Sequence, residues 1–112
     1  MAYLEDYNQI VTDGGYKITT NARIRQYLSY NDLLIVRTGA KSGDLEFNKS
    51  TSDSNVYCYD DYGRLLWKWN DNEIADIRIT KGKLVLYNPS GLGYVFEVDE
   101  KTGNKLKIDT IH

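Results

Sequence analysis

The residues with the most chemical potential in this chain are its carboxylates. Asp60, Asp61, Asp71, Glu73 and Asp76 lie close together in sequence. Their spacing is not that of a calcium loop, which alternates ligands and ends on a glutamate. No metal site is therefore expected, and Asp60-Asp61-Tyr62-Gly63 reads as a turn. The single cysteine, Cys58, has acidic neighbours on its turn side. Negative charge raises a thiol pKa and removes the thiolate that a nucleophile needs. The single histidine, His112, is the last residue, and chain ends fray. No nucleophile and base can be paired, so no catalytic residue is assigned, and Cys58 reads as a small strand residue. Gly91-Leu92-Gly93 has Phe96 where a dinucleotide-binding loop needs its third glycine, and no helix follows. It reads as a hairpin tip, and no cofactor is expected.

Binding chemistry has more material. The chain carries 10 tyrosines, and Tyr3, Tyr7, Tyr16, Tyr27, Tyr30, Tyr62, Tyr87 and Tyr94 could stack on bases. Yet 14 Lys and Arg against 16 Asp and Glu give a net charge of -2, and the cations are scattered. A nucleic-acid binder needs a basic face, so no nucleic-acid partner is expected. A polar loop over residues 38–54 is the longest connection, and its counterpart later in the chain is only residues 88–93. Loops of that length in small domains are functional or solvated. Asp44, Glu46, Phe47 and Asp53 in the loop, with Asp71 and Glu73 beyond it, form the candidate partner-binding set: acidic groups around one apolar anchor. The competing account of these residues is a solvated loop with no role.

The elements that would position them are strands. No window keeps apolar residues at helical spacing. Short alternating runs are separated instead by Gly, Asn, Asp and Ser, the pattern of strands and turns. Residues 9–12 and 16–19 flank Asp13-Gly14-Gly15, a hairpin turn, because glycine accepts positive φ without steric cost. Strands are expected over residues 24–29, 33–37, 55–60 and 65–69, and again over 74–79, 84–87, 94–99 and 105–108. The second set repeats the first. Leu34-Ile35-Val36 matches Leu84-Val85-Leu86, with Asn31-Asp32 and Lys81-Gly82 as matching turns. Val56-Tyr57-Cys58-Tyr59-Asp60 matches Val95-Phe96-Glu97-Val98-Asp99, and each runs into an acidic turn that ends in glycine. Two copies of a four-strand meander read as propeller blades.

The segment Val56-Tyr57-Cys58-Tyr59-Asp60-Asp61-Tyr62-Gly63-Arg64-Leu65-Leu66-Trp67-Lys68-Trp69 resembles the third strand, turn and fourth strand of blades in quinoprotein-type (PQQ-repeat) β-propellers. The second repeat keeps Asp99, Thr102, Gly103 and Leu106 but has Lys107 where the tryptophan would stand. The resemblance implies architecture over residues 24–108. It does not imply quinone chemistry, which belongs to a closed ring of many blades. The expected fold is all-β: one domain over residues 1–112, with two propeller-like four-stranded antiparallel units (24–69 and 74–108) preceded by an N-terminal hairpin, a half-propeller. Trp67 and Trp69 share a face, as do Tyr57 and Tyr59, and all four are expected to pack in the core.

A half-propeller leaves the faces of its end sheets and its edge strands to be covered. That favours an interaction protein. One cysteine allows no internal disulfide, which suits a reducing compartment. The N-terminus has no apolar run of the signal-peptide kind, and no stretch is long enough to span a membrane. A cytoplasmic location with no membrane contact is expected. The first functional expectation is a non-catalytic module that blocks a basic protein partner. Immunity proteins of contact-dependent growth inhibition systems, which mask basic toxin nuclease domains, are the closest parallel in size, charge and fold. The alternatives are a ligand- or glycan-binding β module, and a propeller fragment that assembles with copies of itself. Monomer and homodimer both fit.

Overall fold

The computed structural model describes residues 1–39, 55–69, 74–88 and 93–110. Asp44, Glu46, Phe47, Asp53, Asp71 and Glu73, the candidate partner-binding set, lie outside the described residues, as does His112.

Eleven strands are present among the described residues. They are β1 (Tyr3–Asp6), β2 (Gln9–Val11), β3 (Lys17–Thr19), β4 (Ile24–Tyr30), β5 (Leu33–Thr38), β6 (Val56–Asp60), β7 (Leu65–Lys68), β8 (Asp76–Thr80), β9 (Lys83–Asn88), β10 (Tyr94–Val98) and β11 (Lys105–Thr110). They form three antiparallel meanders in chain order. Sheet 1 is β1-β2-β3, sheet 2 is β4-β5-β6-β7 and sheet 3 runs β8-β9-β10-β11. The fold is all-β, with no helix among the described residues.

The turns follow from their residues. Asn31 and Asp32 both take positive φ (50° and 62°), as do Lys81 and Gly82 (52° and 75°). That is the two-residue hairpin geometry that matches strand twist, and it fixes the registers Tyr30↔Leu33 and Thr80↔Lys83. At the next hairpin, the Asp60 Oδ1 accepts from the backbone N–H groups of Tyr62 and Arg64, both at 2.9 Å. Thr12 plays the same part in sheet 1, its Oγ1 accepting from the Tyr16 N–H at 3.1 Å.

Sheet 1 departs from the expected hairpin. Tyr3–Asp6 is a further strand paired to Gln9–Val11. Sequence alternation did not reveal it because all four of its residues are exposed. Its register shows what it is. Tyr3 opposes Val11 as Leu34 opposes Tyr59 and Leu84 opposes Val98. Counted from the turns at Thr12, Asp60 and Asp99, which bond alike across their hairpins, sheet 1 matches the second, third and fourth strands of the other two sheets as far as Leu4, beyond which β1 shifts register before Asp6.

The sheets pack in sequence. Ile10 and Ile18 of sheet 1 meet Leu34, Val36 and Tyr59 of sheet 2 in one core cluster, which Ala2 and Ile24 complete. Ile35, Val56, Cys58, Trp67 and Trp69, which include the opposite-facing residues of sheet 2, meet Ile77, Leu84, Leu86, Phe96 and Val98 of sheet 3 in a second. This division follows from the two-residue period of a strand. Polar bonds fix the second interface. The Trp67 indole N–H donates to the Glu100 carbonyl at 2.8 Å. The Gln26 amide donates to the Ile77 carbonyl at 2.8 Å and accepts from the Ile77 N–H at 3.0 Å, joining β4 to β8 like an extra peptide.

The far face of sheet 3 has a different composition. Where sheet 2 presents Leu28, Leu33, Cys58 and Trp67 to its neighbour, the matching register positions of sheet 3 hold Arg78, Lys83, Glu97 and Lys107. Ion pairs join Arg78 to Asp76 at 2.6 Å, Lys83 to Glu97 at 3.3 Å and Lys107 to Asp109 at 3.6 Å. On the far face of sheet 1, Lys17 pairs with Glu5 at 2.9 Å beside Val11 and Tyr3.

Candidate interaction surface

Two ends of the sheets carry the connections, and they differ in chemistry. The long connection of sheet 2 leaves β5 and re-enters β6 beside Asn55. The Asn55 side chain is fully committed there. It donates to the carbonyls of Thr38 (3.2 Å) and Ile74 (2.7 Å) and accepts from the Ile74 N–H at 3.0 Å. The Thr38 N–H donates to the Asn55 carbonyl at 2.8 Å. One buried amide thus ties both roots of the long connection to the start of the strand that follows residues 70–73. Tyr7, Arg23 and Arg25 are also near this end, Arg23 over the Tyr7 ring at 5.5 Å and Arg25 donating to the Gly39 carbonyl at 3.0 Å. The structure therefore brings together the anchors of the two segments that hold Asp44, Glu46, Phe47, Asp53, Asp71 and Glu73, while those residues themselves lie outside the described set.

The opposite end is acidic within the described residues. Here the turns of sheets 1 and 2 meet. The Thr12 hydroxyl donates to the Asp61 carbonyl at 2.7 Å, and Gly14 packs so closely on the Asp61 backbone that any side chain would collide with it. Tyr16 meets Tyr62 edge to face, centroids 5.8 Å apart, and the Arg64 guanidinium lies 5.3 Å over the Tyr62 ring. Both tyrosines are about half exposed or more, 49% for Tyr16 and 62% for Tyr62. Asp61 lies within the fields of Asp32, Asp13 and Asp60. Its partial burial, and then those three carboxylates in that order, raise its pKa above the ordinary aspartate range. Asp60 goes the other way. Burial alone would raise it, but the Arg64 N–H, the Arg64 side chain and the Tyr62 N–H outweigh that and lower it. Asp60 therefore holds the turn, while Asp32 and Asp61 present charge and Asp13 pairs with the N-terminal ammonium at 3.4 Å. Sequence reading located each as a turn residue. It did not bring Asp13 and Asp32 within electrostatic reach of Asp61, because that follows from how sheet 1 packs on sheet 2.

Of the remaining candidates, Tyr3, Tyr7 and Tyr94 are exposed, and the others resolve into packing. Cys58 is buried, and burial, then Glu100 and Asp60, pushes its thiol up to about 12. Trp67 and Trp69 are both in the core, so neither is an exposed sugar-stacking platform. Tyr27 and Tyr30 pack against the two core clusters, and Tyr87 lies under Arg78 at 5.2 Å. An open groove of about 550 Å³ runs between β7 and the β10–β11 turn, lined by Trp67, Lys68, Trp69, Gly103, Asn104 and Lys105. No group of three or more His, Cys, Asp or Glu side chains among the described residues is placed to hold a metal ion, and no helix among them is long and apolar enough to cross a membrane. No protein-family model, curated protein or solved structure matches the chain.

Proposed function

We propose that this protein is a non-catalytic binding module for a basic protein, acting as an immunity-type inhibitor that masks a toxin domain such as a nuclease. In this reading the three sheets are an open, propeller-type stack in which each sheet seats the next through equivalent positions. The observation that carries the reading is the docking of the sheet 1 turn on the sheet 2 turn, Thr12 and Gly14 against Asp61, which puts Asp13 and Asp32 within electrostatic reach of Asp61 beside two exposed tyrosines. Concentrated negative charge speeds encounter with a basic surface and fixes orientation. Exposed aromatic rings supply the apolar contact that slows dissociation. Such an inhibitor works in the cytoplasm, against a toxin delivered there.

The test is affinity for a basic protein encoded beside it, measured at low and high salt. Asparagine tolerates the left-handed backbone that Asp32 adopts, so Asp13→Asn, Asp32→Asn and Asp61→Asn together remove charge without straining the turn. Association should slow about tenfold in this variant and lose most of its salt dependence. A second variant, Asp44→Lys, Glu46→Lys and Asp71→Lys, probes the opposite end. If it alone loses binding, the interface lies at the loop end; if neither variant nor salt changes the affinity, charge does not drive recognition and the reading fails.

A further inference from the structure

The turn that seats sheet 1 on sheet 2 is also the most labile stretch of backbone in the chain. Asp13-Gly14 is its only Asp-Gly pair, and no Asn-Gly pair occurs. The fold demands that glycine, because a Cβ on Gly14 would collide with the Asp61 carbonyl oxygen. The same missing side chain leaves the Gly14 nitrogen open to the carboxyl group that precedes it. Among the described residues, the Gly14 N–H donates no hydrogen bond, whereas its neighbours are held: the Gly15 N–H donates to the Thr12 carbonyl at 2.9 Å and the Tyr16 N–H to the Thr12 hydroxyl at 3.1 Å. The Asp13 side chain is 40% exposed, and its ion-pair partner is the N-terminal ammonium, itself 98% exposed, at 3.4 Å. We infer that Asp13 is a site of spontaneous isoaspartate formation, gated by the docking of its turn on Asp61.

The reaction needs no enzyme, cofactor or partner protein. The Gly14 backbone nitrogen attacks Asp13 Cγ. A new N–Cγ bond closes a five-membered succinimide, and the amide proton leaves with a carboxyl oxygen as water. Water then reopens the ring. Addition at Cγ restores aspartate. Addition at the Asp13 main-chain carbonyl carbon breaks its bond to Gly14 instead, so the chain now runs through Cγ and the old main-chain carbon becomes the free carboxylate. One water is released and one consumed, and nothing is oxidised or reduced. Ring closure requires the Gly14 nitrogen to swing onto Cγ, out of the turn that the Thr12–Gly15 bond closes. While the Thr12 hydroxyl holds the Asp61 carbonyl at 2.7 Å and Gly14 lies against the same backbone, that swing is blocked. It becomes available when the turn lifts away, a local opening that leaves the rest of the fold intact. The product carries one more backbone carbon between Asp13 Cα and Gly14, so the turn cannot reseat on Asp61 as before. Isomerisation therefore makes undocking of sheet 1 permanent.

The whole chain is incubated warm at neutral pH, folded and in denaturant. Isoaspartate has the mass of aspartate, so the readout is methyl transfer from S-adenosylmethionine by an isoaspartate-specific methyltransferase, mapped to its position by electron-transfer fragmentation. Asp13→Ser, with no carboxyl group to close the ring, is the blank. Asp13→Asn, which closes the same ring with loss of ammonia, is the positive control. The folded parent should label at Asp13, and more slowly than the denatured chain. Thr12→Val removes the hydroxyl that holds Asp61 and should speed labelling about fivefold, the extra opening expected from one lost hydrogen bond. Thr12→Ser keeps the hydroxyl and should label as the parent does. The isomerised fraction, separated by chromatography, should lose amide hydrogen-exchange protection across β2 and β3. A folded parent that labels no more than Asp13→Ser overturns the site. Equal rates in Thr12→Val and the parent overturn the gate, and an isomerised fraction with the parent's protection overturns the undocking.

Discussion

Trp67 acts as both a core side chain and a fastener. Its ring is buried between sheets 2 and 3, and its N–H reaches the Glu100 carbonyl. Gly103, in the same turn as Glu100, lies flat against that ring: a Cβ there would stand 2.6 Å from Trp67 Cδ2, on a backbone with φ of +76°. Trp67→Ala should therefore cost about 3–5 kcal/mol in chemical denaturation. Gly103→Ala should be costly for two reasons, the clash and the left-handed backbone, the latter worth about 1–2 kcal/mol. In the Trp67→Ala background only the backbone part should remain. A double-mutant cycle measures the difference, and additive costs would show that the ring and the glycine do not touch. Cys58, in the same cluster, gives a pH signature. Its folded value of about 12 lies above the ordinary 9.0. The unfolded chain ionises first as pH rises, so this contribution to stability is present below pH 9.0 and is lost between the two values. At pH 8 the folded protein should resist iodoacetamide, with alkylation tracking unfolding across a denaturant series; rapid labelling of the native state would contradict the burial.

Among the elements, the hairpins were the part most legible in the sequence. Asn31-Asp32, Lys81-Gly82 and the acidic turns ending in Gly63 and Gly103 are residues selected by backbone conformation, so local chemistry alone announces them. β1 was not legible, because its four residues show no in–out pattern when one flank is open. The acidic turn end was half legible: each aspartate was visible as a turn residue, but their assembly depends on Thr12 and Gly14 docking on Asp61, a contact of long sequence separation. The clamp at Asn55 was invisible for the same reason, since nothing local distinguishes an asparagine that bonds Ile74 from one in a loop. Its importance can be tested. Asn55→Leu would leave the Ile74 N–H and carbonyl without their partner in a buried setting, at about 1–3 kcal/mol for each group left unsatisfied. Asn55→Asp should be intermediate, since it keeps the acceptor for the Ile74 N–H and loses the donors. Thermal unfolding should rank parent, Asp and Leu variants in that order, and a Leu variant as stable as the parent would show that the clamp does not hold the sheets together.

On the scale of the whole molecule, the sequence repeat hides a deliberate difference. Sheets 2 and 3 share turns, register and the face each turns toward the preceding sheet, which is why Leu34 and Val36 match Leu84 and Leu86. They diverge on the other face. Leu28, Leu33 and Trp67 seat the next sheet, whereas Arg78, Lys83 and Lys107 at the same places face solvent. End repeats of stacked architectures need a polar outer face, or they recruit further repeats. The ion pairs Arg78–Asp76 and Lys83–Glu97 make sheet 3 such an end, which weighs against assembly by sheet-on-sheet stacking of copies. The decisive experiment is to remove the cap. Arg78→Leu, Lys83→Leu and Lys107→Trp transplant the seating face of sheet 2 onto sheet 3. These positions are exposed, so the fold should persist, with an unchanged circular dichroism spectrum. The new apolar patch can be covered only by another chain. Sedimentation should show the parent as a single species of monomer mass and the variant as larger species that grow with concentration. A parent that sediments as an oligomer through this face, or a variant that stays monomeric, would mean that the charges on sheet 3 do not decide where the stack ends.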